Sequence, residues 1–282
     1  PTSMRRNRMD GASTRSDRTR RRRRHGLQYP HLPAYLAPGP HPVVPNGMLA
    51  GHYSAAFLAK RLDPRVPLWT LLLAVQLVDV FWVVFVLAGV EHARLDPTLA
   101  SNPLDLYDMP YTHSLLATAC WALAAFLVAR RFLGDAGRAG VVALAVASHW
   151  GLDLVVHRPD LSLWDGVMKM GFGLWNRPLV ALALELGLLA GSIGLLVDAP
   201  GLPRTTVRGV LGLGTALTAV QLAVTFGPLP PTVTAMVLSV LPLFWLRTVT
   251  LTRQISAVAK KQRRQEGAMA ATAAESTGSI RT

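Results

Sequence analysis

Cysteine is nearly absent from this chain. The 282 residues contain one, Cys120, so no intramolecular disulfide forms and no thiolate-based zinc centre is available. Inside its apolar run Cys120 reads as a small packed side chain. Charge is scarce as well: Asp, Glu, Lys and Arg make up 16% of the residues, against about a quarter in soluble domains, and the mean hydropathy is positive. Two further absences narrow the class. No segment alternates apolar and polar residues over about ten positions, which argues against an outer-membrane barrel. No internal repeat is visible, which argues against the inverted-repeat transporter folds.

The charge that is present sits at the ends. Residues 1–47 hold ten Arg against Asp10 and Asp17, a net +8, and residues 251–282 carry a net +4, so the tails account for +12 of the total +13. The run RRRRR at 20–24 is followed by a Pro-rich stretch, 26–47, with no apolar h-region, so it is not a signal peptide. Nucleic acid and anionic lipid would both attract such a tail, but its composition is that of a solvated, disordered Arg/Pro-rich segment. Nucleic acid is therefore not the expected partner, and Met48 is the expected native start. Residues 251–282 read in the same way, as a basic disordered tail.

Between the tails, 48–250 reads as an all-α, polytopic transmembrane bundle of six long spans preceded by one short membrane helix. A bilayer core needs roughly 20 apolar residues per helix, and six stretches qualify: 66–90, 113–132, 139–156, 178–197, 207–226 and 231–249. Turn-rich loops such as DAPGLPR (198–204) and GPLPP (227–231) separate them, and Pro178 and Pro231 suit first helical turns. The stretch 48–62, MLAGHYSAAFLAKRL, is too short to cross a bilayer of about 30 Å unaided. Arg130, Arg131, Arg138, Arg204, Arg208 and Arg247 fall on alternate connections, so the positive-inside rule puts the even loops and the C-terminus in the cytoplasm. Trp69, Trp164, Trp175, Trp245, Tyr107 and Tyr111 fall where interfacial aromatic belts occur.

The informative residues are the ionisable ones inside the spans: Asp79 in LAVQLVDVFWVV, His149 and Asp153 in VASHWGLDLVVHRPD, and Glu185 in ALALELGLL. A mid-membrane carboxylate costs roughly 2.5–3.5 kcal/mol on insertion scales, so each faces a partner or a cavity and marks a functional site by default. His149, Asp153 and His157 are spaced four apart and share one helix face. His149 and Asp153 either converge on one ion, or Asp153 orients the imidazole, or the two form a hydrogen-bonded pair that joins helices. His and carboxylate ligands without thiolates suit zinc, manganese or iron, with zinc first. His113 opens the second span at the level of His157, and the helix start with Thr112 and Ser114 offers N–H groups to an anion such as phosphate. Asp108, His157 and Glu185 are possible additional members.

The order GH (Gly51, His52), LVD (Leu77 to Asp79), YTHSLL (from Tyr111) and SHWGLD (from Ser148) resembles the YdjM-type family of inner-membrane metal-dependent hydrolases, also described as LexA-binding membrane proteins. The likeness covers 48–175 and includes a following Trp, here Trp164. It implies a divalent-metal site built from His52, Asp79, His113, His149 and Asp153, with catalytic work falling to Asp79, His113 and Asp153. Asp108 stands where the family has the first His of its HRG motif. For His52 to join the others, 48–62 must run from outside to inside, with Lys60 and Arg61 in the cytoplasm.

The expected function is that of a bacterial inner-membrane, metal-dependent hydrolase acting on a lipid or lipid-linked ester or phosphoester, with membrane lipids as partners. Two other readings stay open: an ion- or proton-coupled transporter, since buried Asp, Glu and His mark ion pathways, and a noncatalytic membrane protein whose polar residues hold helices together.

Overall fold

The computed structural model describes residues 50–96, 98–99, 102–228 and 230–238, together with Gln265. These residues lie within one compact unit, Pro40–Thr282. The predicted tails at 1–47 and 251–282, Gln265 aside, and most of the sixth long span, 239–249, lie outside the described residues. So do Trp245 and Arg247.

The chain is mostly helical. In order come α1 (Ala50–Leu62), α2 (Leu68–Val75), α3 (Leu77–Leu87), β1 (His92–Leu95), β2 (Leu104–Asp108), α4 (Leu115–Leu133), α5 (Ala136–Val156), a 3-10 turn (Leu174–Asn176), α6 (Pro178–Val197) and α7 (Arg204–Phe226). Four of these helices, α4 to α7, are long and apolar enough to cross a membrane, and α2 with α3 makes a fifth if the pair is one bent span. The expected count of six long helices is thus matched only in part among the described residues, since most of the sixth lies outside them. The first long span is broken at Gln76, where the backbone leaves helical geometry (φ −105, ψ 0) and the axis bends by 46°. Gln76 is the one polar residue between Leu71 and Val78. At 231–238 a further helical turn starts at Val233, capped by the Thr232 hydroxyl, which accepts the Ala235 N–H.

The short helix α1 is buried along most of its length, Tyr53, Phe57 and Ala59 included, among α2, α5, α6 and α7. At roughly 1.5 Å per residue it is far shorter than a hydrocarbon core, and burial in protein makes that length tolerable, because most of its length meets protein groups rather than lipid. The free N–H of Ala50 is taken by the Gln221 side chain of α7. His52 in its first turn meets Asp153 in the last turn of α5, so α1 runs antiparallel to α5.

α4 packs on α5 through small side chains, Ala122 and Ala129 against the buried Ala139, Val142 and Ala145, the arrangement by which membrane helices approach closely. Its other faces expose Leu116, Leu123, Leu127 and Phe132, as a lipid-facing helix does. Ser114 caps α4 by accepting the Ala117 N–H, and Asp135 caps α5 by accepting the Arg138 N–H.

The connection 91–112, expected as a plain loop, contains an antiparallel hairpin, β1 with β2, in the register Arg94↔Asp105 and Leu95↔Leu104. The all-α expectation is amended by these two short strands. Arg158 fastens the hairpin to the segment after α5, donating to the Asn102 carbonyl at 2.7 Å and to Asn176 Oδ1 at 3.0 Å. That segment folds back on α5: Phe172 and Gly173 donate their N–H groups to the Leu154 and His157 carbonyls, which a helix end leaves unsatisfied.

Candidate metal centre

Four elements bring one His or Asp each, or more, to a single point. The break at Gln76 puts Asp79 in the first turn of α3, where the helix dipole favours a carboxylate. The four-residue spacing on α5 stacks His149 and Asp153, with His157 at its C-cap. α1 supplies His52, and the turn before α4 supplies His113.

Asp153 is the hub. Its Oδ1 lies 3.2 Å from His52 Nε2 and 3.6 Å from His157 Nε2, and its Oδ2 lies 3.2 Å from His149 Nε2 and 3.8 Å from His113 Nε2. Asp79 Oδ1 stands 3.3 Å from His113 Nε2 and 3.5 Å from His149 Nε2. The His52 and His149 rings stack with centroids 4.0 Å apart. Two sets of side chains converge tightly enough to hold a metal ion: His52, His149 and Asp153, and Asp79, His113 and His149. His149 belongs to both.

The outer nitrogens of three of these rings are engaged. His149 Nδ1 is 3.0 Å from the Val75 carbonyl, the last of α2. A carbonyl only accepts, so the proton is on Nδ1 and, in the neutral ring, Nε2 carries a lone pair. His157 Nδ1 donates in the same way to Asp160 Oδ1 at 2.9 Å, and His113 Nδ1 lies 2.8 Å from Thr112 Oγ1. Metal-ligating histidines are characteristically held like this, the second nitrogen fixed by a carbonyl, a carboxylate or another polar group.

The inner nitrogens present a problem of charge. His149 Nε2 and Asp153 Oδ2, though 3.2 Å apart, make no hydrogen bond, and both are buried. Two electron-rich atoms in that relation call for a second proton or a cation between them, since unpaired buried polar groups are costly. The donor set fits a metal on that count. Of the cluster, only Asp79 reaches the surface, with 25% of its side chain exposed, against 5% or less for the others. Access to the cluster is therefore from the α3 side, where Trp82 stands edge-on to His113 and Phe81 stacks on Trp121 of α4.

Three further candidates stand outside the two ligand sets. Asp108 is in the hairpin, paired with His92 at 2.7 Å and well exposed, because strand pairing turns it away from the cluster. Glu185 is buried on α6 but belongs to neither ligand set. At the start of α4, where an anion was expected at Thr112 and Ser114, Leu115 and Leu116 donate their N–H groups to the Ser162 and Leu163 carbonyls, Ala117 donates to Ser114, and the Thr112 and Ser114 hydroxyls donate to Glu91 and the Pro110 carbonyl.

Sequence reasoning passed over Glu91, which is fully buried, and Asp160. As letters, both are ordinary loop acids at the end of an apolar run. Comparison of the chain with protein-family models, with curated proteins and with solved structures finds no match.

Proposed function

We propose that this chain is a membrane-bound, metal-dependent hydrolase of the YdjM type, acting on a lipid or lipid-linked ester, with a phosphoester as the favoured linkage. The observation that carries the reading is the buried, unbridged approach of His149 Nε2 to Asp153 Oδ2, inside a cluster where the Nδ1 atoms of His149 and His157 face acceptors. His52, His149 and Asp153 are the ligands of first choice, with Asp79 and His113 as the adjoining pair. When bound, a divalent ion, zinc before manganese or iron for this donor set, supplies an acidified water and polarises the substrate oxygen.

The chain's own groups do the rest. Asp79, the exposed member, meets the substrate and takes the proton of the attacking water, as a general base within reach of a reacting group does. Asp153 holds its four imidazoles in place through charge, and His113 steadies Asp79. The exposed apolar side chains of α3 beyond the site, Val84 and Leu87 among them, suit an acyl or polyprenyl chain lying alongside.

The same proposal includes orientation in a bacterial inner membrane. Lys60 and Arg61 end α1, Arg130 and Arg131 end α4, and Arg138 and Arg204 open α5 and α7. All lie at helix ends remote from the cluster, which supports a cytoplasmic basic side, a cytoplasmic C-terminus and a metal centre in the outer half.

Metal analysis of the purified full chain, kept free of chelators, tests the reading. Stoichiometric zinc, manganese or iron is expected in the wild type and its loss in His149→Ala and Asp153→Asn. A wild-type protein without metal sinks the proposal; proton flux in proteoliposomes then tests the cluster as a relay.

A further inference from the structure

We infer that Glu91 and Thr112 are positioning residues that hold His113 in its Nδ1–H tautomer and so keep the Nε2 lone pair turned toward Asp79 and Asp153. The tautomer stands on geometry alone; its consequence for metal affinity rests on the function proposed above.

The argument is one of proton counting. Glu91, fully buried just beyond α3, accepts the Tyr111 N–H at 2.7 Å and the Thr112 N–H at 2.9 Å on one oxygen. On the other it accepts the Thr112 hydroxyl at 2.7 Å. A hydroxyl carries one proton. With that proton directed to Glu91, Thr112 Oγ1 is an acceptor for its other neighbour, His113 Nδ1, at 2.8 Å. The imidazole proton is then on Nδ1, and Nε2, 3.3 Å from Asp79 Oδ1, is bare. Thr112 is itself fully buried, so bulk solvent does not compete for either bond. His149 reaches the same state through a backbone carbonyl; at His113 the direction is set two bonds away, by a carboxylate. Glu91 belongs to neither ligand set, and its bonds run to Tyr111 and Thr112, so it acts through Thr112.

Glu91→Gln is the discriminating change. Its carbonyl can still accept both backbone N–H groups, but its amide would donate to Thr112 Oγ1. The hydroxyl proton then turns to His113 Nδ1, and the ring proton moves to Nε2. The readout is the ¹⁵N spectrum of the metal-free, histidine-labelled full chain in detergent at a pH where the ring is neutral, with His113 assigned by His113→Asn. Nδ1–H is expected in the wild type and Nε2–H in Glu91→Gln. Thr112→Val, which leaves the backbone bonds to Glu91 in place, is expected to give Nε2–H as well and carries the test if Glu91→Gln does not fold; Thr112→Ser should restore the wild-type form. Zinc affinity is expected to fall about 10–100-fold in Glu91→Gln and Thr112→Val, as for other groups that orient a ligand, and to recover in Thr112→Ser. Nε2–H in the wild type, or Nδ1–H retained in both Glu91→Gln and Thr112→Val, overturns the inference. A wild-type chain that binds no zinc overturns the metal reading instead, and the tautomer readout still decides this one.

Discussion

Asp63 and His149 are both buried polar residues, yet their partners differ in kind. Asp63, just past α1, accepts three hydrogen bonds from Arg65, from its N–H at 2.9 Å, Nε at 3.0 Å and Nη2 at 2.8 Å. The side-chain hydrogen bonds from Arg65 outweigh burial, which pushes the other way, and hold its carboxyl down at about 2, below the ordinary 3.8. A depressed carboxyl stabilises the fold fully above its unfolded value, and that stabilisation drains as pH falls through the folded one. Arg65 is largely exposed, so we set the effect at about 1 kcal/mol, or a fall in Tm of about 2–4 °C for a domain of this size. Asp63→Asn should show that deficit at pH 7 in detergent and lose it near pH 2; a deficit of equal size at both pH values would refute the assignment. His149 has a carbonyl at Nδ1, two carboxylates near Nε2 and the His52 ring stacked against it, a set that can take a cation. The sequence made His149, Asp153 and Asp79 conspicuous because charged side chains in apolar runs are rare. It left Glu91 invisible, because burial beneath a turn has no signature in a loop's composition.

Among the elements, the segment after α5 makes a close backbone approach at one glycine. Gly171 lies so close to the Arg158 and His157 carbonyls that an added Cβ would overlap both, and the obstructing atoms are backbone, which cannot swing aside. Gly171→Ala should cost about 1–3 kcal/mol, the scale of enforced backbone strain, and lower Tm. Gly140→Ala on α5, where an added Cβ meets nothing, should leave Tm unchanged or raise it, given alanine's better helix propensity, about 1 kcal/mol at most. Equal effects from the two changes would contradict this account. Helix extents at α6 and α7 were largely legible from apolar run length and the prolines before or at their starts. The bend at Gln76 was not, since a lone Gln in an apolar run does not announce a break. Yet that break leaves the Val75 carbonyl at a helix end, where it meets His149, and starts a new helix under Asp79.

At the scale of the whole molecule, the basic helix ends and the metal-competent cluster lie on opposite sides of the helical layer, which makes orientation measurable. In a Cys120→Ala background, a membrane-impermeant maleimide should label Asp105→Cys in intact cells and Arg131→Cys only after permeabilisation. Labelling of both from the same side would reject the proposed topology. That apolar helices would dominate was determined by the sequence itself: a chain so poor in charge, with runs of about 20 apolar residues, satisfies its backbone in lipid only as helices. The sequence also determined that His149, Asp153 and His157 share a face, because helical periodicity is local. Tertiary structure alone decided that His52, more than 90 positions away, would lie against His149, that Asp108 would be drawn off into a hairpin, and that the donors at the start of α4 would already be taken. Those outcomes depend on which buried helix runs antiparallel to which, and on hydrogen bonds between segments distant in the chain. No local pattern encodes them.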